Sequence, residues 1–228
     1  MHIPDGFLDY TVCAITYAGS IIFWILAFRK AGKSLTDKQI PLMATLTAMF
    51  FAAQMMNYPI IGGTTAHLLG GPIVALTLGP YAGIISMTII LLIQALFFGD
   101  GGITTLGANV WNMGVIGVFI PYAVFVLITK IRRSRRALLI GAFIGAFLGD
   151  VLAAVFAGLE LGSSSIFPYA ASIAVATMVI HHSFIGIGEG IVTAGVLRFL
   201  LKTRPDLLSL PQFAQLSAKE LEPPARIR

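Results

Sequence analysis

The stretch 57–81 reads Asn57-Tyr-Pro-Ile-Ile-Gly-Gly-Thr-Thr-Ala-His67-Leu-Leu-Gly-Gly-Pro72-Ile-Val-Ala-Leu-Thr-Leu-Gly-Pro-Tyr81. It is apolar, yet Pro59, Gly62, Gly63, Gly70, Gly71, Pro72, Gly79 and Pro80 interrupt it repeatedly. On either side the pattern changes to long uninterrupted apolar runs, at 10–28, 40–57, 81–98, 110–129, 137–158 and 169–201. A hydrocarbon core of about 30 Å needs about 20 apolar residues per helix, and these runs come close to that length or exceed it. The last is longer than one crossing needs, and Gly186, Gly188 and Gly190 are places where it could tilt or break.

Composition points the same way. Hydrophobic residues make up 57% of the 228 and charged residues 11%, against roughly a quarter charged in globular chains. Mean hydropathy is +0.90. The net charge of +5 sits in short clusters between apolar runs: Arg29, Lys30, Lys33 and Lys38, then Lys130, Arg132, Arg133, Arg135 and Arg136. That is the distribution of cytoplasmic loops and argues against nucleic acid as a partner; the lipid bilayer is the expected surround. The single Cys13 rules out an intramolecular disulfide.

These charges orient the chain. A basic loop after the first run places the N-terminus outside, and the basic loop 130–136 requires the run 110–129 to end inside. Asn57 and Gly107 are then both external, so an even number of crossings lies between them, yet only 81–98 reads as a clean helix. The broken stretch therefore has to supply the return path, as a short helix around 72–78 or a re-entrant segment, the irregular backbone that often lines transporter sites. A tight turn between two ordinary helices would satisfy the composition equally. The expectation is an all-α integral membrane protein of about seven transmembrane helices, residues 1–201, with a short cytoplasmic tail, 202–228. Small residues at i+4 spacing, Gly141, Gly145, Gly149, Ala153 and Ala157, and separately Ala44, Ala48 and Ala52, predict close helix packing, within the chain first and onto a partner as the alternative.

The start, Met1-His-Ile-Pro-Asp-Gly-Phe-Leu-Asp9, has no Lys or Arg and two Asp, unlike a secretory leader. With Met1 retained, the α-amine, the His2 amide nitrogen and Nδ1 of His2 lie along one covalent path. They can close a five- and a six-membered chelate ring around one ion. The arrangement is planar and needs an ionised amide, chemistry that favours Ni²⁺ or Cu²⁺. His67, in the broken stretch, is the candidate for the open corner. A chance His near a frayed end is the plain alternative.

Three motifs now resemble a family: the opening Met-His-Ile-Pro-Asp-Gly-Phe-Leu, Phe98-Gly-Asp-Gly-Gly-Ile-Thr-Thr-Leu-Gly-Ala-Asn109, and His182-Ser-Phe-Ile-Gly-Ile-Gly-Glu-Gly-Ile-Val-Thr193. They resemble the CbiM/NikM proteins, cobalt- and nickel-specific substrate-binding (S) components of energy-coupling-factor transporters of the ABC type, in prokaryotic cell membranes. The resemblance implies seven helices with the N-terminus tucked into the bundle. It also implies a four-nitrogen site from Met1, His2 and His67, with Ni²⁺ or Co²⁺ as transported substrate. Loop 99–109 becomes a lid whose Asp100, Thr104, Thr105 and Asn109 orient the ligands, while Asp5 fixes the turn of the N-terminal segment.

The partners implied are a transmembrane coupling (T) subunit, two ATPase subunits and, in many systems, a small extra membrane subunit as a separate chain. The chain itself is expected to be no enzyme. The P-loop-like Ala27-Phe-Arg-Lys-Ala-Gly-Lys-Ser34 follows a membrane span and not a β-strand. Two readings compete. One is an S component for an organic vitamin, which has no use for a free N-terminal His. The other is an intramembrane metalloenzyme using His181, His182, Asp150 and Glu189. Adjacent His181 and His182 point to different helix faces, which disfavours it. Glu189 is expected to bond to His181, His182 or a hydroxyl and Asp150 to face a cavity, with a protonated, structural carboxyl the equal alternative for both. Neither is expected to ligate the ion.

Overall fold

The computed structural model describes residues 1–37 and 39–208. Lys38 and most of the tail, with Pro211, Pro223 and Pro224, lie outside the described residues.

Eight helices and a two-residue hairpin follow in order. They are α1 Tyr10–Ser34, α2 Gln39–Gln54, β1 Tyr58–Pro59, β2 Thr65–Ala66, α3 Gly71–Leu78 and α4 Pro80–Ile93. Then come the short α5 Leu106–Asn109, α6 Gly117–Ile131, α7 Arg135–Ser163 and α8 Ala171–Thr203. α4 runs on as a π-helical turn, Gln94–Phe98, and a second π segment, Val110–Ile116, joins α5 to α6. Among the described residues five helical stretches are long and apolar enough to cross a membrane: Tyr10–Lys33, Pro80–Phe98, Leu106–Ile131, Arg135–Ser163 and Ala171–Thr203. With α2 (16 residues) and the short α3 (8 residues) they form an all-α bundle.

α3 answers the question raised by the broken stretch. Gly70 at φ +76° precedes it, Pro72 sits in its first turn and Gly79 at φ +92° ends it, so its limits follow from backbone chemistry. Every one of its residues is buried. The glycines of α8 do not break it: α8 runs unbroken from Ala171 to Thr203. Gly186 and Gly190 pack under Phe147 and Phe143 of α7.

The α7 ladder packs inward as expected. A β-carbon on Gly145 would lie 2.7 Å from the Pro121 carbonyl oxygen of α6, and Gly141 faces Phe125. The alanine ladder of α2 does not follow suit. Ala44, Ala48 and Ala52 are exposed, because α2 turns Leu46, Phe50 and Gln54 inward instead. The P-loop-like residues 27–34 are the last turns of α1, with no strand before them.

Candidate metal centre

The first residues run into the bundle, and Met1, His2 and Ile3 have no exposed surface. Polar bonds from the far side of the chain hold the backbone of Ile3. Its N–H donates to Oδ1 of Asn109 at 2.8 Å, and its carbonyl accepts from Asn109 Nδ2 at 3.1 Å, from Thr105 Oγ1 and from the Gly102 N–H at 3.0 Å. Gly102 has to be glycine, because a β-carbon there would land on the Asp5 side chain.

Asp5 does not brace its own segment, as the sequence suggested. Its carboxylate accepts from the N–H groups of Ile103 and Thr104 and from the Thr104 hydroxyl, pinning the N-terminal segment to the lid. Partial burial pushes this carboxyl up, but the bonds from Thr104 and Ile103 outweigh it and hold it below the usual range. Asp9 caps α1 through Thr11 and Val12 and also accepts from the N–H and hydroxyl of Ser165. Both acidic residues of the opening are thus used in placing it.

The hairpin β1–β2 carries Thr65 and leads into His67. The amine of Met1 donates to the Thr65 carbonyl at 2.5 Å and to Thr65 Oγ1 at 3.2 Å, and lies 3.0 Å from Nε2 of His67. The His2 N–H donates to the same hydroxyl at 3.1 Å. The imidazoles of His2 and His67 stack, centroids 4.4 Å apart.

Each ring is committed at one nitrogen. Nδ1 of His67 donates to the Leu68 carbonyl at 2.9 Å, which leaves the lone pair on Nε2, facing the amine. Nε2 of His2 faces Oε1 of Gln94, an acceptor, at 2.9 Å, which leaves the lone pair on Nδ1. That Nδ1 has no hydrogen bond, although Oδ1 of Asp100 lies 3.2 Å away. Asp100 in turn accepts from Asn57 at 2.6 Å.

Burial pushes the Met1 amine down to about 5, against the fields of Asp150 and Asp100. Burial and the N-terminal charge push His2 down to about 3, and the same causes hold His67 well below its ordinary value. Three nitrogen groups therefore meet at neutral pH with their protons already off or committed elsewhere. Asp100 goes the other way: burial raises it, opposed by the N-terminus and Asn57.

Met1, His2, His67 and Asp100 thus come together, while Asp5, Thr104, Thr105 and Asn109 hold the segment that carries the first two. Among the described residues no three His, Cys, Asp or Glu side chains cluster as metal ligands; a set built on a backbone amine and amide would not form such a cluster.

The sequence reading missed Thr65, Gln94 and Asn57. Gln94, a lone amide side chain in an apolar run, was the most detectable of them. It also mispaired Glu189, whose two oxygens accept from the Leu69 and Gly70 N–H groups, each at 2.9 Å. Glu189 thereby ties the entrance of α3, and the turn bearing His67, to α8. His182 is buried and His181 only partly so, its Nδ1 3.2 Å from the Tyr58 hydroxyl, so the two do point apart.

Fold and site together describe a multi-pass α-helical bundle with a buried nitrogen cluster at its own N-terminus. Residues 2–207 match the family described as the CbiM cobalt uptake substrate-specific transmembrane region. The chain belongs to this CbiM/NikM family of metal-transport substrate-binding proteins. A relative from Haloquadratum walsbyi named for metal transport is 40% identical over 227 residues, covering 100% of both chains. The fused nickel transport protein NikMN of Rhodobacter capsulatus is 41% identical over 224 residues, covering 92% of this chain and 64% of the relative. A crystal structure of a truncated transition metal transporter superposes with a TM-score of 0.83 at 38% identity, covering 88% of this chain and 98% of that one.

Proposed function

We propose that this chain captures Ni²⁺, or Co²⁺, from the outer side of the membrane in a planar site of four nitrogens. These are the Met1 amine, the His2 amide, Nδ1 of His2 and Nε2 of His67. The observation that carries the reading is the meeting of three nitrogen groups. The Met1 amine lies 3.0 Å from Nε2 of His67, whose Nδ1 is committed to the Leu68 carbonyl, and the ring of His2 stacks on that of His67.

On binding, the amide surrenders the proton it now shares with Thr65 Oγ1. The lid keeps water out while Gln94 and Leu68 hold the rings in the required tautomers. A planar nitrogen field suits Ni²⁺ somewhat better than Co²⁺. Cu²⁺ would bind more tightly than either, so selectivity in the cell rests on availability and delivery.

The same reading sets the orientation and the company of the chain. The N-terminus lies outside, residues 1–201 form the membrane domain, and 202–228 form a cytoplasmic tail. A coupling subunit, two ATPases and in some systems a small extra membrane subunit complete the transporter.

The test is a Ni²⁺ titration of the purified chain, followed by visible absorption and metal content, beside His67→Ala and a chain with one Gly placed before Met1. One ion per chain with a planar-nickel band, lost or weakened more than about 100-fold in both variants, is expected. Unchanged binding in the extended chain overturns the site.

A further inference from the structure

Asp150, on α7, has no exposed surface and both carboxyl oxygens lack a hydrogen-bond partner. It points at α8 beside Gly186, where a β-carbon would sit 3.5 Å from Oδ2. A buried carboxyl with nothing to bond costs several kcal/mol if charged, so such a group makes sense only if another state of the protein supplies a partner.

The partner cannot be a neighbouring base. α7 from residue 137 onward and α8 up to residue 197 contain no Lys or Arg. The titratable groups whose fields reach Asp150 are Glu189 on α8 and the Met1 amine; His182 lies one turn before Gly186 on α8. Glu189 is spoken for by the Leu69 and Gly70 amides. His182 donates Nδ1 to the Met178 carbonyl at 2.9 Å, with Nε2 unpartnered. Of these groups the Met1 amine, within reach of Asp150 through its field, is a donor of the proposed chelate.

The segment 63–70 lies along α8. Gly63 packs against Met178, Leu68 lies against Gly188, and the amides of Leu69 and Gly70 reach Glu189. His67 therefore sits over the stretch of α8 that holds His182 and Gly186, with Asp150 behind it.

We propose that Asp150 is the counter-charge of the captured ion: a carboxyl that is neutral in the metal-free protein and ionises when the cation enters, without ligating it. The inference rests on the function proposed above. The charge balance motivates it. A divalent ion on one ionised amide leaves a net single positive charge, costly where it is unpaired in a water-poor interior. Asp100 meets it only from the loop side, where its side chain is 15% exposed and already bonded to Asn57, and Asp150 meets it from the buried side. Asp150 supplies one negative charge, and its proton leaves with the amide proton. It acts through the field, so the planar ligand set is unchanged.

The test counts protons. Ni²⁺ is added to the purified full chain at pH 7 in weak buffer with an indicator dye, beside Asp150→Asn. Wild type is expected to release one proton more per ion than the variant, whatever number the ligands themselves give up. The variant keeps one ion per chain and the same visible band, with affinity lowered about 10- to 100-fold. Equal proton counts, unchanged affinity or an altered band each overturn the proposal.

Infrared difference spectra of wild type alone give a reading that needs no variant. A protonated-carboxyl band should disappear as Ni²⁺ is added, and its persistence overturns the idea. If the Gly-extended chain still binds Ni²⁺, the planar chelate falls. The infrared band still decides whether a buried carboxyl balances the ion wherever it sits.

Discussion

Between α7 and α8, Gly158 and Gly162 bring one backbone against Val175 and Ala171 of the other, and no side-chain hydrogen bond between the two helices takes part among the described residues. Between the N-terminal segment and loop 99–109, hydrogen bonds join residues about a hundred positions apart. The first interface depends on shape and the second on complementary donors and acceptors. In lipid, association of apolar helices draws on close packing, because the tails are as apolar as the helices. A polar segment that has to be held in one geometry inside the bundle needs directional bonds. The molecule thus separates a scaffold built on close packing from an N-terminal segment built on paired donors and acceptors.

Four perturbations set that contrast against itself, in decreasing order of effect. Gly145→Leu drives a side chain into the Pro121 backbone, and overpacking on that scale is expected to leave no recoverable folded protein; size-exclusion profiles in detergent check it. If the variant is monodisperse and melts normally, the scaffold is softer than argued.

Glu189→Ala leaves the Leu69 and Gly70 amides without acceptors, at a cost of about 1.5–3 kcal/mol each. The outcome expected is weakened Ni²⁺ binding with α7 and α8 still packed. It is read from isothermal titration beside hydrogen exchange, which should quicken around residues 65–71 alone.

Acidification is the third. The Met1 amine has an ordinary value of 8.0 and a docked value of about 5. Between those limits an undocked terminus carries a proton that the docked one lacks, so docking strengthens as pH rises and weakens as it falls. From pH 8 to 5 the metal-free protein is expected to lose up to about 4 kcal/mol of docking. His2 and His67, also held low, push the same way. Hydrogen exchange at residues 1–5 should rise across that window while α7 and α8 stay protected.

Thr105→Val removes one bond to the Ile3 carbonyl, which keeps those from Asn109 and Gly102. About 1 kcal/mol is expected, seen as a several-fold faster metal off-rate with an unchanged spectrum.

The scaffold was the more legible half. Apolar run length located the long helices, the glycine ladder at i+4 announced the α7 packing, and the Gly and Pro interruptions marked off α3 between Asn57 and Tyr81. Those signals are local or periodic. His2 and His67 could be singled out because the chelate chemistry of the first two residues is also local. What the sequence withheld was pairing across distance. Asp5 reaches Ile103 and Thr104, Glu189 reaches Leu69 and Gly70, and Thr65 and Gln94 brace the histidines. Such pairings follow from where loops land after the helices pack. The outward turn of Ala44, Ala48 and Ala52 was missed for a related reason: small residues mark a face without saying what it meets.

The π turns at Gln94–Phe98 and Val110–Ile116 bracket the lid. A π turn holds one residue more than the α-helical path it replaces. In genetic terms each is a spot where a one-codon deletion shortens a membrane helix yet leaves ordinary α geometry on both sides. Elsewhere in these helices the same deletion would rotate every following side chain by about 100°. Changes of length are thus admitted at the two ends of the lid, where they re-aim Gln94 or Asn112 and leave the spans in place.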